Sequence, residues 1–103
     1  MYTIGLDYDD TFTTDPDAWY GAMILLKRKG FRIVGATFRY EEEPIEDRRY
    51  HRLCDRVVYC ARRSKQDMTK LAGEAVDIWI DDMPQFVVSG LMPFDLDESL
   101  GWK

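Results

Sequence analysis

Cysteine and histidine are almost absent from this chain: two cysteines and one histidine in 103 residues. Cys54 and Cys60 form no CxxC pair, and His51 stands alone, which argues against a zinc site built from soft ligands. Both cysteines fall in core-facing segments and are expected as buried, reduced thiols. No apolar run has the length needed to span a bilayer. The first residues carry neither a basic region nor a signal-like apolar region, and a cytoplasmic location is expected. Proline and glycine are sparse, at 4 and 7, and no linker, repeat or low-complexity tract interrupts the chain. Positive charge is the minority, with 14 Lys and Arg against 19 Asp and Glu and a net charge of -5. That balance argues against bulk binding to nucleic acid.

What is present is the composition of a globular domain, 46% hydrophobic and 32% charged. The length fits one domain, residues 1–103, able to bury a modest core without staples. Residues 2–7 read as a strand ending in an acidic turn. Asp15-Pro16-Asp17 is a helix start, with a capping acid, proline in the first turn and a further acid. Ala18, Trp19, Ala22, Met23, Leu25 and Leu26 follow at helical spacing, and Gly30 is the expected stop. Residues 31–37 read as a second strand. Residues 41–55 read as a polar helix with a late start near Pro44, and 56–60 as a third strand. Ser64 caps a predicted helix reaching about Ala75, with Met68, Leu71, Ala72 and Ala75 inward. Residues 77–81 read as a fourth strand, 83–89 as a short helix stopped by Gly90, and Leu91-Met92 as a short fifth strand. Strands alternating with helices predict an α/β fold: a Rossmann-like three-layer sandwich with a mostly parallel sheet.

Parallel α/β sheets bind ligands beyond the carboxyl ends of their strands. The first strand ends in Asp7, Asp9 and Asp10, followed by Thr11; the fourth ends in Asp81 and Asp82. Carboxylates repel, so their gathering at two strand ends implies a cation. Oxygen ligands without clustered His or Cys favour Mg²⁺. Thr37 closes the second strand and Arg39 follows it. Arg62, Arg63 and Lys65 follow the third, with Lys65 in the first turn of a helix. A hydroxyl, a lysine and a helix start around a carboxylate–magnesium site suit a phosphoryl group.

In this order the residues resemble the haloacid dehalogenase superfamily of phosphohydrolases. Asp7-Tyr8-Asp9-Asp10-Thr11 matches its first motif, DxDx[T/V] after an apolar strand. Ile33-Val34-Gly35-Ala36-Thr37 matches the second, a strand ending in Thr or Ser. Lys65 fits the third, and Ile78-Trp79-Ile80-Asp81-Asp82 fits the fourth, an apolar strand ending in DD. The resemblance covers roughly residues 2–92. It implies that Asp7 is the nucleophile that forms an aspartyl-phosphate. Asp9 is then the general acid and base. Thr37 is implied to bind a phosphoryl oxygen, and Lys65 to stabilise charge on nucleophile and phosphate. Mg²⁺ is implied to be held by Asp7, the Asp9 carbonyl and Asp81, with Asp82 either a further ligand or a partner of the ligands. Asp10 departs from the glycine common in the family. Lys70, on the same predicted helix, is the rival third-motif lysine; the start of the helix favours Lys65.

Asp10 and Thr11 count as candidate substrate contacts, although turn formation in a left-handed conformation is the simpler role for Asp10. Arg39 is a candidate substrate contact against a plain surface role. Tyr8 either touches substrate or packs, while Trp19 and Trp79 are expected in the core, and His51 as an exposed helical residue. Between residues 48 and 65 lie Arg48, Arg49, Arg52, Arg56, Arg62, Arg63 and Lys65, against Asp55 alone. That run is either a solvated face or a phosphate-attracting rim. Only Phe12-Thr13-Thr14 separates Thr11 from the first helix start, so no cap domain is expected, and the chain is similar to small, phage-type members of the superfamily. An open site with Arg62 and Arg63 nearby suits a nucleotide or nucleic-acid end as the phosphorylated partner, with no membrane partner. A non-catalytic metal- or phosphate-binding module is the alternative. A phospho-acceptor receiver domain is disfavoured, because the third strand ends Tyr59-Cys60-Ala61-Arg62 instead of in an aspartate.

Overall fold

Four parallel strands in the order β3-β2-β1-β4 organise the computed structural model, which describes residues 1–88. They are β1 (Thr3–Leu6), β2 (Arg32–Thr37), β3 (Arg56–Tyr59) and β4 (Ile78–Ile80). Helices α1 (Pro16–Arg28), α2 (Arg48–Leu53) and α3 (Lys65–Leu71) alternate with them, and single 3₁₀ turns cover Phe12–Thr14 and Pro84–Phe86. The fold is therefore α/β with an all-parallel sheet, as the alternation of strand and helix patterns predicts. The chain steps outward from β1 to β2 and β3, then crosses back to lay β4 on the other side of β1. The crevice at such a reversal, between β1 and β4, is where ligands bind in open α/β sheets.

Alternation along the strands divides the core in two. Ile4, Leu6 and Ile33 join Phe12, Met23, Tyr50 and Leu53 in one cluster. Val34, Ala36, Val58 and Cys60 form the other, with Met68, Ala72 and Trp79 against them. Ile33 and Val34 are adjacent and both fully buried, which is why β2 reads as continuously apolar. Gly35 sits where a Cβ would lie 2.6 Å from the Tyr50 hydroxyl. Its bare backbone lets that hydroxyl donate to the Leu6 carbonyl at 2.5 Å, tying α2 to the last residue of β1.

Helix ends follow their local chemistry. Asp15 caps α1 by accepting from the Ala18 amide. The helix closes with Gly30 at φ 100 and with bonds from Gly30 N to Lys27 O and Phe31 N to Leu26 O, a Schellman arrangement. The same arrangement ends α3 early: Gly73 has φ 84, with Gly73 N bonded to Lys70 O and Glu74 N to Thr69 O. The helix expected to reach Ala75 therefore stops at Leu71.

Segment 41–55 is helical only over Arg48–Leu53, where Asp47 accepts from the Arg49 and Tyr50 amides. Upstream, the backbone is committed elsewhere: Ile45 N donates to the Tyr59 hydroxyl at 3.1 Å, and the Glu43 and Pro44 carbonyls accept from Arg39. Leu25 and Leu71 are 56% and 80% exposed, so the inward faces of α1 and α3 are narrower than their apolar spacing suggests. Within 83–88, the described part of the helix expected over 83–89, the chain makes the single 3₁₀ turn Pro84–Phe86. Gly90 and the predicted strand at 91–92 lie outside the described residues. Cys54 and Cys60 are buried and free; burial pushes their thiols up to about 12 and about 11. No helix among the described residues is long and apolar enough to cross a membrane.

Candidate active site

β1 delivers Asp7 to the crevice. Its backbone amide continues the ladder by donating to the Ile80 carbonyl at 3.0 Å, so the carboxylate emerges beside the end of β4. The chain then turns sharply. Asp10 takes φ 60, the left-handed conformation that Asp tolerates, and its amide donates to Thr13 Oγ1 at 2.9 Å. This turn brings Thr11 back under Asp7. The Thr11 hydroxyl donates to Asp7 Oδ2 at 2.9 Å and accepts from the Asp82 amide at 3.1 Å, with Asp82 Oδ1 3.3 Å away.

Lys65 enters from the first turn of α3, behind Ser64, whose side chain accepts from the Asp67 amide. Its Nζ donates to Asp7 Oδ1 at 2.7 Å and to Asp81 Oδ2 at 2.5 Å. The Lys65, Asp7 and Asp81 side chains are 4%, 7% and 3% exposed. A buried ammonium between two buried carboxylates is stable only as a complete set, because removing one member strands a charge. Asp81 is fixed further by accepting from the Met83 amide at 2.8 Å. Burial pushes the Asp7 carboxyl up to about 6 against the opposing pull of Lys65, and the nearby Asp81 adds to the rise.

Asp7, Asp81 and Asp82 each place a ligand atom within 4.8 Å of the others. An all-oxygen set of this kind fits a hard divalent cation such as Mg²⁺. A cleft of about 140 Å³ opens over it, lined by Asp7, Asp9, Asp10, Lys65, Asp81 and Asp82 on its polar side. Phe38, Met83 and Phe86 form the apolar wall, with the two phenyl rings 4.6 Å apart. Ser64 Oγ donates to the Val87 carbonyl at 3.1 Å, and Gln66 N donates to the same carbonyl. The 84–87 segment is thereby anchored over the start of α3.

The fold thus gathers Asp7, Asp9, Asp10, Thr11, Lys65, Asp81 and Asp82 at one crevice. Thr37 is fully buried and does not line the cleft; its hydroxyl accepts from the Arg39 amide at 3.2 Å. Arg39 forms a two-bond ion pair with Asp9, both bonds 2.9 Å. Of the seven basic residues between 48 and 65, Lys65 alone lines the cleft. Arg62 reaches toward Glu43 at 3.8 Å and lies over the Tyr40 ring. Arg49 pairs with Asp17 and Arg56 with Glu74. Arg48, Arg52 and Arg63 are exposed. Lys70 is exposed on the outer side of α3.

Tyr8 packs into the core, its ring centroid 5.9 Å from Phe12 and 4.9 Å from Tyr50. Trp19 and Trp79 are half-buried against the two cores, and His51 is exposed, its ring bonded to the Ile45 carbonyl. The wall residues Phe38, Met83 and Phe86 were not legible as site residues; Phe38 and Met83 directly follow Thr37 and the Asp81-Asp82 pair, and Phe86 lies four residues beyond Asp82. Comparison with protein-family models, curated proteins and solved structures finds no match for this chain.

Proposed function

We propose that this chain is a Mg²⁺-dependent phosphomonoesterase of the haloacid dehalogenase type. One observation carries the reading: Lys65 bridges Asp7 and Asp81 at the floor of a cleft where Asp82 and Thr11 close the same ring of contacts. A buried carboxylate held by a lysine and facing a phosphate-sized cleft is arranged for attack on phosphorus. An Asp7 oxygen forms the new bond to phosphorus as the bond to the leaving oxygen breaks. Asp9, at the mouth of the cleft, gives that oxygen its proton. Asp9 then takes a proton from water, which attacks the aspartyl-phosphate and frees inorganic phosphate and Asp7. Lys65 keeps Asp7 charged and oriented through both steps. A bound Mg²⁺, held by Asp7, Asp81, Asp82 and the Asp9 carbonyl, supplies charge neutralisation between the carboxylates and the phosphoryl oxygens.

On the same reading the two cores flank the sheet as a three-layer sandwich, and the site has no cap. Only the turn at Phe12–Thr14 lies between Thr11 and the cap of α1. An open site admits a large leaving group, and a nucleotide or a nucleic-acid end in the cytoplasm is the proposed substrate. The deciding test is hydrolysis of p-nitrophenyl phosphate with Mg²⁺, beside an EDTA control and Asp7→Asn. Magnesium-dependent turnover that Asp7→Asn abolishes is expected. Turnover that survives Asp7→Asn overturns the nucleophile, and metal binding without turnover on any phosphoester makes the chain a binding module. A panel of nucleotides, 3′- and 5′-phosphorylated oligonucleotides and sugar phosphates then ranks substrates.

A further inference from the structure

The guanidinium of Arg39 has little left to offer a substrate. Nε and Nη2 donate to the two oxygens of Asp9, each at 2.9 Å. Nη1 donates to the carbonyls of Glu43 and Pro44 at 3.3 and 3.2 Å. The Cζ of the group lies over Tyr8, 5.4 Å from the ring centroid, and Tyr8 is itself wedged against Phe12 and Tyr50. The fork is therefore immobilised from three sides before it reaches Asp9. The Asp9 side chain, in contrast, is 48% exposed at the cleft mouth, on a loop where Arg39 is the hydrogen-bond partner of its carboxylate among the described residues. An exposed ion pair contributes little to folding, but a two-bond fork fixes the plane and direction of a carboxylate.

We infer that Arg39 is the positioning residue for Asp9: it aims the carboxyl group that gives and takes the proton at the leaving oxygen. The inference rests on the phosphatase reading and deepens it. Two simpler roles compete. Arg39 as a direct phosphate contact has one Nη2 hydrogen left for it, and a two-bond grip on phosphate would break its bonds to Asp9 or to the two carbonyls. Arg39 as a tether for segment 41–47 explains the carbonyl bonds but not the matched fork on Asp9.

Proton donation matters most when the leaving group is a poor one. A p-nitrophenolate leaves almost unaided, whereas the alkoxide of β-glycerol phosphate must be protonated as it departs. The experiment measures kcat and KM of the full chain with Mg²⁺ on both substrates, for wild type, Asp9→Asn, Arg39→Ala and Arg39→Lys. Arg39→Ala is expected to slow both, and to lower the ratio of alkyl to aryl kcat by about tenfold or more, a part of the roughly 10²–10⁴-fold typical of general acid catalysis. Asp9→Asn shifts the ratio in the same direction, and Arg39→Lys recovers it only in part, since an ammonium cannot grip both oxygens. Equal losses on both substrates, or a rise in KM with the ratio unchanged, overturn the inference and leave the phosphatase reading standing. A wild-type chain inactive on both substrates overturns the phosphatase reading itself. Circular dichroism checks each fold; if Arg39→Ala does not fold, the ratio is read from Arg39→Gln, which keeps part of the stem and a polar end without the fork.

Discussion

Lys65 and Asp7, 58 positions apart in the chain, meet at 2.7 Å with both side chains out of solvent. The contact joins the start of α3 to the end of β1, and Asp81 completes it from β4. On the proposed reading folding and chemistry are coupled at this point, because the ammonium that would ready Asp7 also separates two buried acids.

Replacing Lys65 by methionine is therefore expected to abolish hydrolysis and to destabilise the metal-free chain. Removing one partner from a buried ion pair costs about 3–5 kcal/mol in typical cases. Urea unfolding reads the loss. Mg²⁺ is expected to raise the melting temperature more in Lys65→Met than in wild type, since the cation then becomes the only positive charge between Asp7 and Asp81. A loss of stability below about 1 kcal/mol shows that the acids find another way to separate.

The two acids of β4 are expected to differ. Asp81 is pinned by Lys65 and by the Met83 amide, whereas Asp82 is exposed and hydrogen-bonded to Thr11 through its amide. On the proposed reading Asp81→Asn removes a ligand and unbalances Lys65. Asp82→Asn removes a ligand only. Titrating activity with Mg²⁺ should show a higher half-saturating concentration in both variants, about tenfold in Asp82→Asn, and a melting temperature lowered only in Asp81→Asn. A normal magnesium requirement in Asp82→Asn excludes that carboxylate from the metal site.

Much of this arrangement was legible in the chain because strand ends are local signals. Asp7 and Asp81 each close a short apolar run, and the parallel alternation brings both runs to one crevice. Asp15 and Gly30 bound α1 as their chemistry requires. Gly73 carries the same stop signal for α3, but the apolar spacing through Leu71 and Ala75 masked it. Segment 41–47 misled for a different reason. Its polar residues suit a helix, but its carbonyls serve Arg39 and its Ile45 amide serves Tyr59, partners 4 to 14 positions away that no local pattern displays. The Arg39–Asp9 pair was equally hidden, since nothing in either residue's neighbourhood names a partner 30 positions distant.

Gly35 tests the packing that holds β1 in place. A methyl group there would sit 2.6 Å from the Tyr50 hydroxyl and 3.0 Å from the Cys54 sulfur. Gly35→Ala is expected to cost about 1–3 kcal/mol by overpacking. Tyr50→Phe is expected to cost about 1 kcal/mol through the lost bond to the Leu6 carbonyl. Removing the hydroxyl relieves the closest contact but leaves the Tyr50 ring carbon Cε2 2.9 Å from the added methyl group, so the double variant should recover part of the overpacking loss relative to the sum of the single losses. Additive losses, measured by urea unfolding, mean that the backbone shifts to make room.

The far end of the sheet carries the clearest dependence on pH. Glu74 accepts from Arg32 at 3.1 and 2.9 Å, and those bonds hold its carboxyl below the ordinary 4.5 despite partial burial. A carboxyl with a lowered pKa in the folded state binds its proton less readily there than in the unfolded chain. Its contribution to stability is therefore fully present above about pH 4.5, the unfolded value, and is lost as pH falls through the lower folded value. Arg32→Met removes the donor, so its melting temperature should lie below that of wild type at pH 7, and the gap should narrow as pH falls from 4.5 toward 3. Arg32 is partly exposed, so the gap is small and shrinks in high salt. A gap that stays constant across that window assigns the effect to lost packing of the Arg32 stem instead of to its charge.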